Sequence, residues 1–596
     1  MFTTRPEISG TFGVVASTHW IVSQVAMGVL ERGGNAFDAA VAGGFTLCVV
    51  EPHLCGPAGE VPILFHDAHR HETRVLCGQG VAPAAATIAH FRNQGLDMVP
   101  GSGLIAAVVP GAFDAWLTLL RDHGTMELAD VLAPAIGYAL NGHPLLPGAA
   151  RAIADVADAL RTEWPSGCAI WLPGGDPPKA GALLRNPVLA ATWQRLVAEA
   201  GTQGTREARI DRARRAWSQG FVAEEIDRFA RTELMDASGE RHAGLLTGDD
   251  MARWHATYEE PVTTDFHGWT VCKTAPWGQG PVLLQSLRLL DAAGIAQVDL
   301  ESADFVHLCL EAQKLAFADR EAYYGDPAFT DVPLDTLLSR SYAQDRAALI
   351  GATASNTIQP GVVPGYAEQV VRSMAQVRVA TGEAAGLGIG EPTMVHLKST
   401  LKPGDTVHLD VIDRHGNMVS ATPSGGWPQS SPTVAGLGFA LNTRAQMFWL
   451  EPDLPGSLAP GKRPRTTLTP TLALHQGRPA LICGTPGGDQ QDQWQLVLLL
   501  RRILGGMGLQ AALDQPLFHS LHFPSSFYPR EALPGVAVIE ESYGEPIIAD
   551  LRRRGHDLRV APAWSAGRLT AAERGADGVL HAAATPRLMQ AYAVGR

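Results

Sequence analysis

Apolar positions along this chain recur at two periods, and the two alternate in blocks. Residues 17–34, STHWIVSQVAMGVLERGG, carry apolar side chains at helical spacing up to Gly33 and Gly34; Ser17 is the candidate cap, and a second, small-residue helix is expected from Asn35. Residues 61–78, VPILFHDAHRHETRVLCG, then read as two strands joined by a polar turn around His66 to His71. From about 110 to 260 the period is mostly helical, as in GAFDAWLTLLRDHG and FVAEEIDRFART. Strand-like WTVCKTAP leads through the glycine-rich turn WGQGP into the helix VLLQSLRLLDAAG. Between about 351 and 405 large apolar residues thin out and Gly, Thr, Ala and Pro take over, so this stretch is expected to be a long functional or disordered loop. Beyond it, TVHLDVID and MVSATPS, then the two halves of TLTPTLALHQGRPALICGTPGG, read as strand pairs, followed by the helix DQWQLVLLLRRILGG. Alternating blocks of this kind predict a layered α/β body.

The loop ends abruptly at a hairpin whose first side chain is a hydroxyl. In IDRHGN the glycine suits a three-residue turn, with Gly416 left-handed after Arg414 and His415. That turn pairs Asp413 with Asn417 and, carried along both strands, sets Thr406 opposite Ser424; a slip of one residue would undo the pairing. On the hairpin alone, an ordinary cross-strand Thr–Ser hydrogen bond accounts for the pair.

Composition narrows the field. The 596 residues are 46% hydrophobic, ample for a large core, and the net charge of −13 argues against nucleic acid and anionic membranes as partners. No run of 18 apolar residues and no positively charged leader with an apolar stretch is visible, so a membrane span and a secretory signal are not expected. Seven scattered cysteines make neither a disulfide framework nor a CxxC metal site, so a reduced, cytoplasmic protein without cofactor or metal is expected. His66, His69 and His71 lie in an apparent turn, and RIDRARRAW reads as a solvated basic helix face.

Several motifs, in order along nearly the whole chain, resemble the gamma-glutamyltransferases: GVVASTHWIVSQVAMGVLERGGNAFDAAVAGGFTLCVVEPHLCG, EAQKLAFADREAYYGDPAF, DTVHLDVIDRHGNMVSATPS, GKRPRTTLTPTL and GTPGG. The resemblance implies the fold of the N-terminal-nucleophile hydrolases, a four-layer αββα sandwich made as one precursor. It also implies self-cleavage between Asp405 and Thr406, giving a large subunit of residues 1–405, mostly helical with N-terminal strands and a flexible segment before the cut, and a small subunit of residues 406–596. Thr406 would then supply both the nucleophilic hydroxyl and, in its new α-amine, the base; an unperturbed amine at roughly 7.7–8.0 suits that task. Ser424 would hold the hydroxyl in place, where the family usually has threonine. Gly487 and Gly488 match the paired glycines whose N–H groups stabilise the tetrahedral oxyanion.

The resemblance also implies a γ-glutamyl site, and here this chain departs from the pattern. Gln79 stands where the family's carboxylate-binding arginine belongs, and Thr466 and Thr467 replace two serines. Gly426 falls on the family's asparagine, Arg444 on a glutamine, and Met447 on the aspartate that pairs with the donor's ammonium. A free α-ammonium would meet a cation instead of an anion. The expected substrate is therefore a small-molecule amide whose acyl part carries a carboxylate and no ammonium, as with glutaryl-type acylases or oxamate-type amidohydrolases. An ordinary gamma-glutamyltransferase acting on glutathione, and an unprocessed binding protein of the same fold, are the competing readings. CGPAGEVP also stands where the family tends to show a run of glycines, which puts the local loop shape in question.

Overall fold

The structure is a computed structural model that describes residues 2–380, 391–393, 402–404 and 406–596. Asp405, and with it the expected scissile bond, lies outside the described residues, as do residues 381–390 and 394–401 of the segment expected to be flexible before the cut.

Two large sheets organise the chain. In chain order their strands are β1 (Ile8–Gly10), β2 (Gly13–Ser17), β3 (Val61–Asp67), β4 (Glu72–Gly78), β5 (Thr257–Glu259), β6 (Val262–Phe266), β7 (Trp269–Lys273), β8 (Leu409–Asp413), β9 (Met418–Ala421), β10 (Thr471–His475), β11 (Arg478–Gly484), β12 (Thr570–Arg574), β13 (Leu580–Ala584) and β14 (Tyr592–Gly595). One sheet runs β14-β2-β8-β9-β3-β4-β5, the other β1-β13-β12-β11-β10-β7-β6. Every neighbouring pair in both is antiparallel.

The period-2 alternation within these strands decides what each face covers. From the first sheet, Leu409, Val411, Val419, Ile63 and Phe65 pack with helices Trp20–Glu31, Ala36–Val50 and Ala112–His123. Their neighbours Ile412, Met418 and Leu64 face the second sheet, meeting Leu472, Ile482 and Ala572. The opposite face of that second sheet, through Ala473, Leu481 and Ala571, packs on helices Pro281–Ala292, Ala303–Tyr323 and Gln491–Ile503. Both sheets are thus buried on two sides, which explains why so many of their polar residues lie inside.

Local chemistry fixes the ends. Asn35 caps the second helix as expected, its side chain accepting from Phe37 and Asp38 while the Asp38 carboxylate takes the Asn35 N–H at 2.9 Å. The first helix is capped by His19 and not by Ser17: Ser17 ends β2, its hydroxyl donates to the His19 carbonyl, and His19 Nδ1 accepts from Ile21. The hairpin turn follows the sequence reading, with Gly416 at φ 89° and Asp413 facing Asn417 through a 3.2 Å backbone hydrogen bond.

Two expectations are corrected. The region from 351 is no single loop: it holds the helix Ala367–Ala375, built of good helix formers, and a short strand Arg378–Val379 paired with Glu531–Ala532. The basic helix Arg206–Ser218 is not merely solvated, because Arg214 forks onto Asp114 at 2.7 and 3.0 Å and Arg209 reaches Glu127. Among the described residues no helix is long and apolar enough to cross a membrane.

Candidate active site

Thr406 precedes β8 by three residues, with the same parity as His408, Asp410 and Ile412, so its side chain is on the face turned toward the second sheet. It is fully buried and forms an antiparallel bridge with Ser424, to whose Oγ its own hydroxyl donates at 3.2 Å. Ser424 in turn bridges Glu60, one residue before β3. Gln79 follows the Val61–Gly78 pair, so Thr406, Ser424, Glu60 and Gln79 succeed one another across four adjacent strands.

Arg444 belongs to this group, though not as a cation open to substrate. The 3-10 turn Arg444–Met447 buries it to 1% exposure, where its Nε donates to the Glu60 carboxylate and its Nη2 to Ser424 Oγ at 2.6 Å. The rings of Trp427 and Phe527 lie 5.0 and 5.8 Å from its guanidinium carbon. Two departures noted in sequence, the stretch CGPAGEVP and the arginine at 444, are therefore joined, because Glu60 of the first pairs with Arg444. Gly425, at φ 81°, explains part of the tight fit: a Cβ there would come within 2.8 Å of Glu60 Oε2.

A polar column runs below Thr406 between the sheets. His408 bonds Thr422 Oγ1 through Nδ1 and Asp410 Oδ1 through Nε2, both at 2.9 Å. Asp410 also accepts from Ser420 on its own sheet and from Thr570 on the opposite one, each at 2.8 Å. Gly484, the last residue of β11, presses on the His408 ring so closely that a Cβ would sit 2.1 Å from it. This column ties the start of the hairpin to the strand that leads into Gly487.

Gly487 has φ 137° and Gly488 φ 59°, backbone that favours glycine at both positions, and a Cβ on Gly487 would lie 2.3 Å from the Trp494 ring. Both glycines open the turn into helix Gln491–Ile503. The Gly488 carbonyl accepts from Gln279 Nε2 at 3.3 Å, and the Gln279 N–H donates to the Thr466 carbonyl at 3.0 Å, so Thr466 and Gly488 are linked through Gln279. Thr467 is fully buried beside them in sequence. Gln79 is buried too; its Nε2 donates to the Gly80 carbonyl at 3.2 Å, while its Oε1 has no partner among the described residues.

Under the turn, Lys273 pairs with Asp492 at 3.0 Å in full burial. Burial lowers the lysine and pushes Asp492 up to about 6. The triad His307, Glu311 and His556 could hold a metal by proximity, its ligand atoms lying within 4.8 Å of one another. Those atoms are already engaged, His307 with His556 and the Gly351 carbonyl at 2.9 Å and Glu311 with Lys314 at 2.6 Å. Of the histidines expected in the turn, His66 lies instead within β3, where it bonds Thr73 Oγ1 at 3.0 Å.

Sequence reasoning did not single out His408, Asp410 or Glu60. The signal was present for the first two, because TVHLD alternates polar with apolar, but alternation alone reads as a half-exposed strand.

The family model for gamma-glutamyltranspeptidase matches residues 22–595. The chain is 31% identical over 593 residues to the acylase ACY 1 proenzyme of Pseudomonas sp. strain SE83, covering 97% of this chain and 93% of the relative. It is 30% identical over 592 residues to the oxamate amidohydrolase proenzyme of Klebsiella pneumoniae, covering 97% of each. A solved structure described as LmbA2991HD superposes with a TM-score of 0.92 at 54% identity, covering all of both chains. The chain therefore belongs to the gamma-glutamyltranspeptidase family and is an enzyme of its amidohydrolase and acyltransferase kind.

Proposed function

We propose that this chain is a self-processing amidohydrolase with the αββα layering of the N-terminal-nucleophile hydrolases, and that Thr406 is its nucleophile. The observation that carries this reading is the buried Thr406 hydroxyl, bonded to Ser424 at the start of the hairpin and facing the opposite sheet. Family membership along nearly the whole chain supports it, as does the naming of relatives as proenzymes. Cleavage between Asp405 and Thr406 frees an α-amine two bonds from the hydroxyl-bearing carbon, which can take the hydroxyl proton as attack begins. The acyl group passes to Thr406, the amine leaves, and water releases the acid. Gly487 and Gly488 offer the N–H groups for the oxyanion; losing one such donor typically costs about 2.7–4 kcal/mol.

The acyl group we assign is one with a carboxylate and no α-ammonium. Met447 offers an ammonium no charge, and Arg444 with Glu60 forms a pair that presents it no net anion. Thr466 and Thr467, both fully buried, keep hydroxyl donors for a carboxylate. Relatives named as an acylase and an oxamate amidohydrolase favour the same side.

A denaturing gel and N-terminal sequencing test the first half. Purified protein should give chains of 405 and 191 residues with Thr406 leading the second, and Thr406→Ala should stay at 596. Intact wild-type protein would leave a binding protein of the same fold. The second half is tested by matched amides: if a γ-glutamyl amide outruns its glutaryl counterpart, the ordinary reaction of glutathione hydrolases stands instead.

A further inference from the structure

Beside the paired glycines lies a knot of buried charge that the proposed mechanism does not use. Arg320 donates to Asp489, the residue after Gly488, and to Glu321 Oε1 at 2.9 Å; Arg465 reaches the same Glu321 oxygen at 2.6 Å. Ser526 fixes Asp489 from the other side, its N–H and hydroxyl donating at 2.9 and 2.7 Å. Arg530 completes the group. All five charged side chains are at most 7% exposed, and three guanidinium groups face two carboxylates.

Arg530 is the least satisfied of the three. Its Nη1 donates to the Met447 carbonyl at 2.7 Å and its guanidinium carbon lies 3.8 Å from the centre of the Trp449 ring. Nη2 approaches Glu321 Oε2 only to 3.9 Å, and Nε, at 1% residue exposure, has no partner among the described residues. The edge left under-used, Nε with Nη2, is one that grips a carboxylate bidentately. The other two arginines crowd it, and burial together with their charge pulls Arg530 down to about 9. An arriving anion would relieve both conditions.

Arg530 is also held in place for such a task. Its backbone is left-handed at φ 62°, and its N–H donates to the Phe527 carbonyl at 2.7 Å. Phe527 packs toward Arg444, which touches Ser424, and Met447 is the position where the resemblance led us to look for the ammonium partner. The loop 526–530 therefore spans from Asp489 beside the glycines to the 444–447 turn beside the nucleophile.

We propose that Arg530 is the anchor for the carboxylate of the acyl group, binding short dicarboxylic monoamides and their diacid products through its Nε–Nη2 edge. This inference rests on the amidohydrolase reading above for its substrate, but binding can be measured without turnover. On processed enzyme, glutarate and succinate should bind by calorimetry, and neutral butyramide should not. Arg530→Gln should weaken diacid binding by roughly tenfold to a hundredfold, the range of a charge-assisted contact, and raise KM for glutaryl amides more than it lowers kcat. Arg530→Lys, which keeps the charge and loses the fork, should recover only part. A crystal structure of processed wild-type enzyme with glutarate decides the matter even if the variants fail to fold. A carboxylate on the Nε–Nη2 edge is expected. One held by Thr466 and Thr467 alone, by Arg444, or no bound diacid at all, would overturn the proposal and leave Arg530 as a tie between loops. If glutarate binds Arg530 and no amide is hydrolysed, the amidohydrolase reading falls and this one stands.

Discussion

Glu60→Gln keeps the shape of the side chain that faces Arg444 and removes its charge. Both partners are 1% exposed, so the guanidinium cannot turn to water when its counter-charge goes. Breaking a buried pair by removing one member typically costs about 3–5 kcal/mol, because the survivor stays desolvated. Arg444→Met should cost a similar amount by taking away the guanidinium that the buried Glu60 carboxylate faces. The double variant should cost clearly less than the two singles together, with a coupling of at least about 2 kcal/mol, since a neutral pair of similar volume carries no buried charge. The assay is urea unfolding of all four forms in a Thr406→Ala background, which keeps every sample as one uncleaved chain. Additive effects in the cycle, or singles that shift the midpoint no more than a surface change does, would refute the claim that Glu60 and Arg444 act as a unit.

The same pair should be felt in the chemistry. Arg444 Nη2 donates to Ser424 at 2.6 Å, and Ser424 accepts the Thr406 hydroxyl. Losing a hydrogen bond to a charged donor is worth about 1.5–3 kcal/mol, which in a barrier is roughly tenfold to a hundredfold in rate. In a processed background Arg444→Met should therefore lower kcat for charged and neutral acyl groups alike. A loss confined to carboxylate-bearing substrates would instead make Arg444 a substrate clamp.

Three further outcomes are expected. Ser424→Ala should slow turnover and, by taking a buried acceptor from Arg444, also lower the unfolding midpoint, whereas Ser424→Thr, which restores a hydroxyl, should recover most of both. Gly487→Val should abolish activity and also lower stability, because φ 137° and the Trp494 ring 2.3 Å from its Cβ both oppose a side chain; an active Gly487→Val enzyme would move the oxyanion site elsewhere. His556 is held down to about 3 by burial and nearby positive charge, so between about 3 and 6.5 the unfolded chain binds a proton that the folded one refuses. Stability should thus fall as pH drops through that window, by about 2 kcal/mol from this group between pH 7 and 5, and His556→Gln should flatten the acid limb of the unfolding midpoint by one proton; an unchanged limb would show that His556 does not titrate there.

Much of the fold was legible because local periods and turn chemistry agreed with the tertiary structure. The capping box at Asn35 and the glycine turn at 416 needed only neighbours in sequence, and the turn set the whole hairpin register, Thr406 against Ser424 included. What failed was reading across distance. Ser17 looked like a cap because a hydroxyl precedes an apolar run, but its place in β2 turned that hydroxyl to the His19 carbonyl. The arginines of helix Arg206–Ser218 looked solvated because their acids, Asp114 and Glu127, lie about eighty to one hundred residues away.

The site shows the same limit in a sharper form. Read one at a time, the stretch CGPAGEVP and an arginine at 444 are two unrelated departures, the first a question of loop shape and the second a cation set against a substrate ammonium. Pairing joins residues 384 apart and changes both readings: the loop at 60 carries the counter-charge, and the cation at 444 is turned onto Ser424. The carboxylate-binding role then needs another owner. Arg530 has the geometry for it, in a stretch where no motif drew attention, because its distinction is a guanidinium edge left under-used by Glu321 at 3.9 Å and an Nε with no partner among the described residues. A shortfall of partners has no sequence pattern. It appears only when the fold has brought three arginines to two carboxylates, which is why the proposed nucleophile was open to sequence reasoning and the proposed basis of selectivity was not.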